Sequence, residues 1–163
     1  MSVISYMSPS RVMNILNDND FQTPNIAYTL INSVCTAGPG TNIEDTTVDF
    51  IAAGVQTGDI VYDDTGGRAD SVTEVISRTE VKTQYGHVNI GDSYRIFSGI
   101  NTGGGILLVT GFTSAGVQQV ITIGGDTIQV PITELGQVVP VRVNKVFRTT
   151  GSTAGATYCM LWD

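Results

Sequence analysis

Thr, Val and Ile occur 21, 19 and 16 times in the 163 residues, whereas Ala occurs 8 times, Leu 6 and Lys 2. A side chain branched at Cβ is stiff at its first torsion and packs well on a pleated surface. The residues that favour helix interiors are the scarce ones. This imbalance predicts a mainly β protein. Gly contributes 19 residues, many in short clusters between apolar runs, as expected where strands are joined by tight turns. Only 14% of the residues are charged and 41% are hydrophobic. A disordered chain would have the opposite balance.

The formal net charge is −7. The eight basic residues are Arg11, Arg68, Arg78, Lys82, Arg95, Arg142, Lys145 and Arg148, and they are spread along the chain. Neutralising phosphates takes clustered Lys and Arg, so no nucleic-acid partner is expected. Cys35 and Cys159 are too few for a disulfide framework, and one histidine, His87, is too little for a Cys/His zinc site. No run approaches the ~20 apolar residues that cross a bilayer as a helix. Met1 to Arg11 has neither the basic start nor the apolar stretch of a signal peptide. No membrane partner is expected.

The length suits one compact domain or two small ones. Residues 1–24 read as an N-terminal arm. Ser8-Pro9 offers a cap and a first helical residue, and Val12, Met13 and Leu16 then fall on one helical face. One short helix is expected there, ending at Asn17-Asp18-Asn19-Asp20. With Ile15 and Phe21 it forms an apolar stripe, so Val12, Met13, Ile15, Leu16 and Phe21 are the candidate partner-docking residues. From Asn25 onward strands dominate: 26–34, 46–51, 59–62, 69–77, 79–84 and 93–97. Asn101-Thr102-Gly103-Gly104-Gly105 then reads as a linker between two small antiparallel β subdomains, 25–101 and 106–163. The second contains strands at 106–110, 117–123, 126–132, 139–143 and 158–162. Gly124-Gly125 as a two-residue hairpin loop sets Ile121 opposite Ile128. Pro131 and Pro140 cannot donate to a ladder and point to sheet edges or bulges. Sandwich or jelly-roll-like packing is the expected architecture.

Candidate chemistry is sparse. Asp64-Thr65-Gly66 is the tripeptide of aspartic proteases, whose chemistry needs two carboxylates sharing one proton in an apolar cleft. Here Asp63 precedes the tripeptide and Gly67 follows it, so a polar hairpin tip is the better reading. Asp59, Asp63, Asp64 and Asp70 lack the alternating order and closing Glu of a calcium loop. His87 has no nucleophile beside it and reads as a surface histidine. Cys35 and Cys159 lie in apolar surroundings without a basic neighbour, as small hydrophobes do. No catalytic residue, metal or cofactor is expected.

Three phrases carry a resemblance. Gly54-Val55-Gln56-Thr57-Gly58-Asp59-Ile60-Val61-Tyr62 is followed by Val72-Thr73-Glu74-Val75-Ile76-Ser77-Arg78-Thr79, then by Gly91-Asp92-Ser93-Tyr94-Arg95-Ile96. Together they resemble a β module of tailed-bacteriophage virion structural proteins, roughly G-V-x-x-G-D-x-V, V-x-x-V-x-S-x-T and G-D-x-Y-x-I. In the second half, Val139-Pro140-Val141-Arg142-Val143, Val146, Thr149 to Ala154 and Met160-Leu161-Trp162 resemble the ends of small capsid-associated phage proteins. The resemblance implies a non-enzymatic virion component, foremost a capsid decoration (cement) protein. Its partners would be copies of itself and the major capsid protein or other virion proteins. A neck, tail or baseplate adaptor is the alternative. A carbohydrate-binding β module and an aspartic protease are more distant readings.

Overall fold

The β-branched runs become thirteen strands in a computed structural model that describes residues 11–15, 20–24, 26–100, 105–148, 152 and 156–162. In chain order they are β1 (Arg11–Ile15), β2 (Phe21–Gln22), β3 (Thr29–Val34), β4 (Asn42–Glu44) and β5 (Ile60–Asp63). Then follow β6 (Arg68–Val75), β7 (Glu80–Thr83), β8 (Ser93–Phe97) and β9 (Ile106–Gly111). The last are β10 (Gly116–Thr122), β11 (Thr127–Ile132), β12 (Val143–Val146) and β13 (Thr157–Trp162). A 3-10 turn, Ile26–Tyr28, precedes β3. The pairings between these strands are antiparallel.

Six strands form one sheet in the order β3-β8-β5-β6-β7-β4. It curls until its two ends meet, because Ala37, just past β3, exchanges backbone hydrogen bonds with Glu44 of β4 at 2.9 and 2.8 Å. The result is a half-barrel filled by Ile43, Phe50, Val61, Val72, Val81 and Ile96. Successive side chains of a strand point to opposite faces. Val61 of β5 therefore points into the half-barrel, while its neighbours Ile60 and Tyr62 point out of it into a second core. All four residues of β5 are buried in consequence.

That second core is shared by both halves of the sequence. Ile60, Tyr62, Ala69 and Phe97 from the outer face of the half-barrel pack with Leu107, Val120, Ile132, Val143, Tyr158 and Met160. The later residues come from two smaller sheets, β1-β13-β9 and β11-β10-β12-β2. The segment before β12 runs beside β9, with Val109 N–H donating to Gln137 O and Val139 N–H to Leu107 O, both at 2.8 Å. This joins the two smaller sheets into one layer. The fold is thus mainly β, antiparallel and sandwich-like, as composition predicts. Of the expected linker at 101–105, residues 101–104 lie outside the described residues; Gly105 O accepts from Val143 N–H at 2.9 Å, and the second core takes residues from both sides of the linker.

Three local expectations are corrected. The helix expected around Val12 and Met13 is a strand: Arg11 to Ile15 pair in register with Trp162 to Tyr158 of β13. A short helix is marginal alone, and an available strand edge outweighs it. The strand expected at 46–51 is a run of turns. Asp45 there accepts from Thr47 N–H and Oγ1–H at 2.9 and 2.6 Å, and Asp49 accepts from Ala52 N–H at 2.8 Å. These side chains take the backbone donors a ladder would need. In the β10–β11 hairpin, Ile121 faces Thr127 and Val120 faces Ile128. The loop has three residues rather than two, since Thr122 N–H donates to Asp126 O at 2.9 Å. Gly125, at φ 90°, supplies the left-handed residue such loops require.

Candidate functional site

The carboxylates singled out by the sequence are held mostly by backbone N–H groups. Gln56-Thr57-Gly58-Asp59 and Asn89-Ile90-Gly91-Asp92 are the same turn made twice. In each, the Asp N–H donates to the first residue's carbonyl, at 3.1 and 3.0 Å. In each, the first residue's N–H donates back to the Asp carboxylate, at 2.8 Å. Gly58 and Gly91 have φ of 93° and 88°, the conformation a type II turn needs at its third residue. One turn leads into β5 and the other into β8, which pair with each other. Asp59 also accepts from Gly99 N–H at 2.8 Å, fastening the end of β8 to the start of β5.

Asp63 accepts from Thr65 and Gly66 N–H at 2.9 and 2.8 Å, closing the expected hairpin tip between β5 and β6. Burial pushes its carboxyl above the ordinary 3.8. Asp64 is clamped by Arg95: Nε donates to Oδ2 at 2.8 Å and Nη2 to Oδ1. The guanidinium lies 5.6 Å from the Tyr62 ring centre and 5.4 Å from that of Phe97. The protease reading requires two carboxylates facing each other in an apolar cleft, whereas both Asp64 oxygens are spent on Arg95. Asp64→Asn is expected to change the unfolding free energy by no more than about 1 kcal/mol, as for a part-exposed ion pair. Urea titration checks the stability, and pepstatin-sensitive proteolysis lost in that variant would contradict the turn assignment.

Asp45 reaches into the half-barrel and accepts from Tyr94 Oη–H at 2.9 Å as well as from Thr47. Burial acts to raise its carboxyl, but the hydrogen bonds from Ser33, Thr47 and Tyr94 outweigh it and hold it below 3.8. A lowered folded-state pKa stabilises the fold fully above the unfolded value, and that contribution is lost as pH falls through the folded one. Stability should therefore decline below about pH 4, and Asp45→Asn should flatten that part of the acid limb. Urea melts of both chains between pH 5 and pH 2 measure it.

The remaining candidates are not drawn together. Asp70 is spent on Ser71, Tyr85 and Gly86 N–H groups. His87 is half-buried rather than a plain surface residue, with its ring 5.9 Å from that of Tyr85. Cys35 and Cys159 are buried. Burial pushes the Cys35 thiol up, and the thiol donates to Ala37 O at 3.0 Å. Among the described residues, no three His, Cys, Asp or Glu side chains are grouped to hold a metal ion.

Of the five expected docking residues, Phe21 is 3% exposed and belongs to the shared core, fixed there by β2 pairing with β12. Val12, Met13 and Ile15 lie on β1, where Met13 is registered with Met160 and Ile15 with Tyr158. Their side chains, and Leu16 entirely, lie outside the described residues. Sequence reasoning missed a cleft of about 240 Å³ where the two halves meet, lined by Asp20, Gln22, Ser71, Gln84, Tyr85 and Lys145 among others. Its walls come from β2, β12 and the β6–β7 region, far apart in sequence, so no local pattern signals it. Its amides, hydroxyls and opposite charges suit a small polar molecule. Compared with known protein families, curated proteins and solved structures, the chain matches none.

Proposed function

We propose that the chain is a non-enzymatic structural component of a tailed-phage virion, foremost a capsid decoration (cement) protein, with a neck, tail or baseplate adaptor as the alternative. The observation that carries this reading is the twinned Gly-Asp turn. Two of the phrases that resemble the virion module hold these turns and run on into the paired strands β5 and β8, both interior to the six-stranded sheet. A shell component needs rigidity and complementary surface rather than chemistry. Carboxylates committed to backbone N–H groups supply rigidity, and the acidic surface suits a position away from packaged DNA.

The reading is tested by mass spectrometry and a density map of purified particles from cells that make this chain. Stoichiometric copies on the outside of the head are the expected result, and copies confined to the neck or tail select the alternative. Particles without the chain overturn both.

A further inference from the structure

An exposed strand edge is a template for another strand, and proteins that stay apart protect such edges with charge, proline, bulges or brevity. The described edges of this fold follow that rule with one exception. β11 carries Pro131, β1 carries Arg11, β2 has two residues, and three-residue β4 ends in Glu44 and is tied to Ala37. β3 has six residues, Thr-Leu-Ile-Asn-Ser-Val, with neither charge nor proline. Its register with β8 and the 3.0 Å bond from Cys35 N–H to Asp92 O assign Ser33 and Cys35 to the β8 side. By alternation, Asn32 and Val34 turn their N–H and C=O groups outward. No described residue bonds them there.

Exposed apolar side chains stand at both ends of this edge. Tyr28, 47% exposed, immediately precedes β3. At the other end Val34 is 47% exposed.

We propose that the open edge of β3 is where the chain pairs with a second copy of itself, antiparallel strand to strand about a two-fold axis. Charge identifies the occupant. Each copy carries a net −7, so two copies repel except where the contact is uncharged, and no Asp, Glu, Lys or Arg occurs between Asp20 and Glu44. A two-fold pairing also satisfies the outward backbone groups of both edges at once. This inference goes beyond the virion reading and does not depend on it.

The test is the mass of the purified full chain in solution by light scattering at about 100 μM, where a dimer with Kd near 1 μM is mostly formed. Hydrogen exchange at the Asn32 and Val34 amides is followed with concentration. A dimer, with these two amides slowed as concentration rises, is expected. Asn32→Pro removes an outward donor and Val34→Lys adds a charge, so each should return the mass to that of a monomer while the melting transition is kept. If either variant unfolds, exchange in the unaltered chain decides. A monomer at that concentration, a dimer indifferent to both substitutions, or protection that appears only when another protein is added would overturn the proposal.

Discussion

Residues 106–163 produced alone should show no cooperative unfolding transition, whereas residues 25–101 should keep one at a lower temperature than the full chain. The asymmetry follows from which core belongs to whom. Every residue named in the half-barrel core lies between Ile31 and Ile96, so the first fragment takes that core with it intact. The shared core is divided by the cut. The second fragment loses Ile60, Tyr62, Ala69 and Phe97 from its apolar layer, along with Phe21, and it loses β1 beside β13 and β2 beside β12. Each large side chain that loses its cover forfeits about 1.5–3 kcal/mol, and several together equal the stability of a small domain. The first fragment bares the same four residues to water and should associate through them. Calorimetry and near-UV circular dichroism of the two fragments measure this. A cooperative melt of 106–163 would establish two independent subdomains with a linker at 101–105.

Asp70→Ala is expected to cost about 3–5 kcal/mol, which would place Asp70 among the most consequential polar residues of the fold. Its buried carboxylate accepts from Ser71 N–H at 2.7 Å, from Tyr85 N–H at 3.0 Å and from Gly86 N–H at 2.9 Å. Alanine strands three backbone donors in one place, and hydrogen bonds to a charged acceptor contribute about 1.5–3 kcal/mol each when taken singly. Asp70→Asn keeps one acceptor oxygen and should lose about half as much. Denaturant titration of both variants gives the comparison, and a loss below about 1 kcal/mol for alanine would show that water replaces the carboxylate.

Most strands were legible because their β-branched residues alternate and their ends are punctuated by Gly and Asp. The β5–β6 hairpin tip and the two Gly-Asp turns were legible for a stronger reason: the residues that make each turn also supply its hydrogen bonds. The errors arise where distant chain decides. Val12, Met13 and Leu16 satisfy a helical spacing, but the free edge that made Arg11–Ile15 a strand is supplied by β13, about 150 residues further on. Counting a two-residue loop sets Ile121 opposite Ile128. One more loop residue moves every partner by one, and Gly124-Gly125 is compatible with either length. Phe21 looked like part of a docking stripe because sequence alone does not show β12 beside it. The cleft at Tyr85 and the bare edge of β3 had no local signature, since both are defined by what packs next to them.

The pairing of β1 with β13 also sets an order of events during synthesis. At ~5–20 residues per second, β1 waits roughly 10–30 s on the ribosome before its partner strand exists. The half-barrel has no such delay, because all its strands lie between Thr29 and Phe97. It can close while the later sheets are still being made. β1 thus emerges before the half-barrel and finds its place after it.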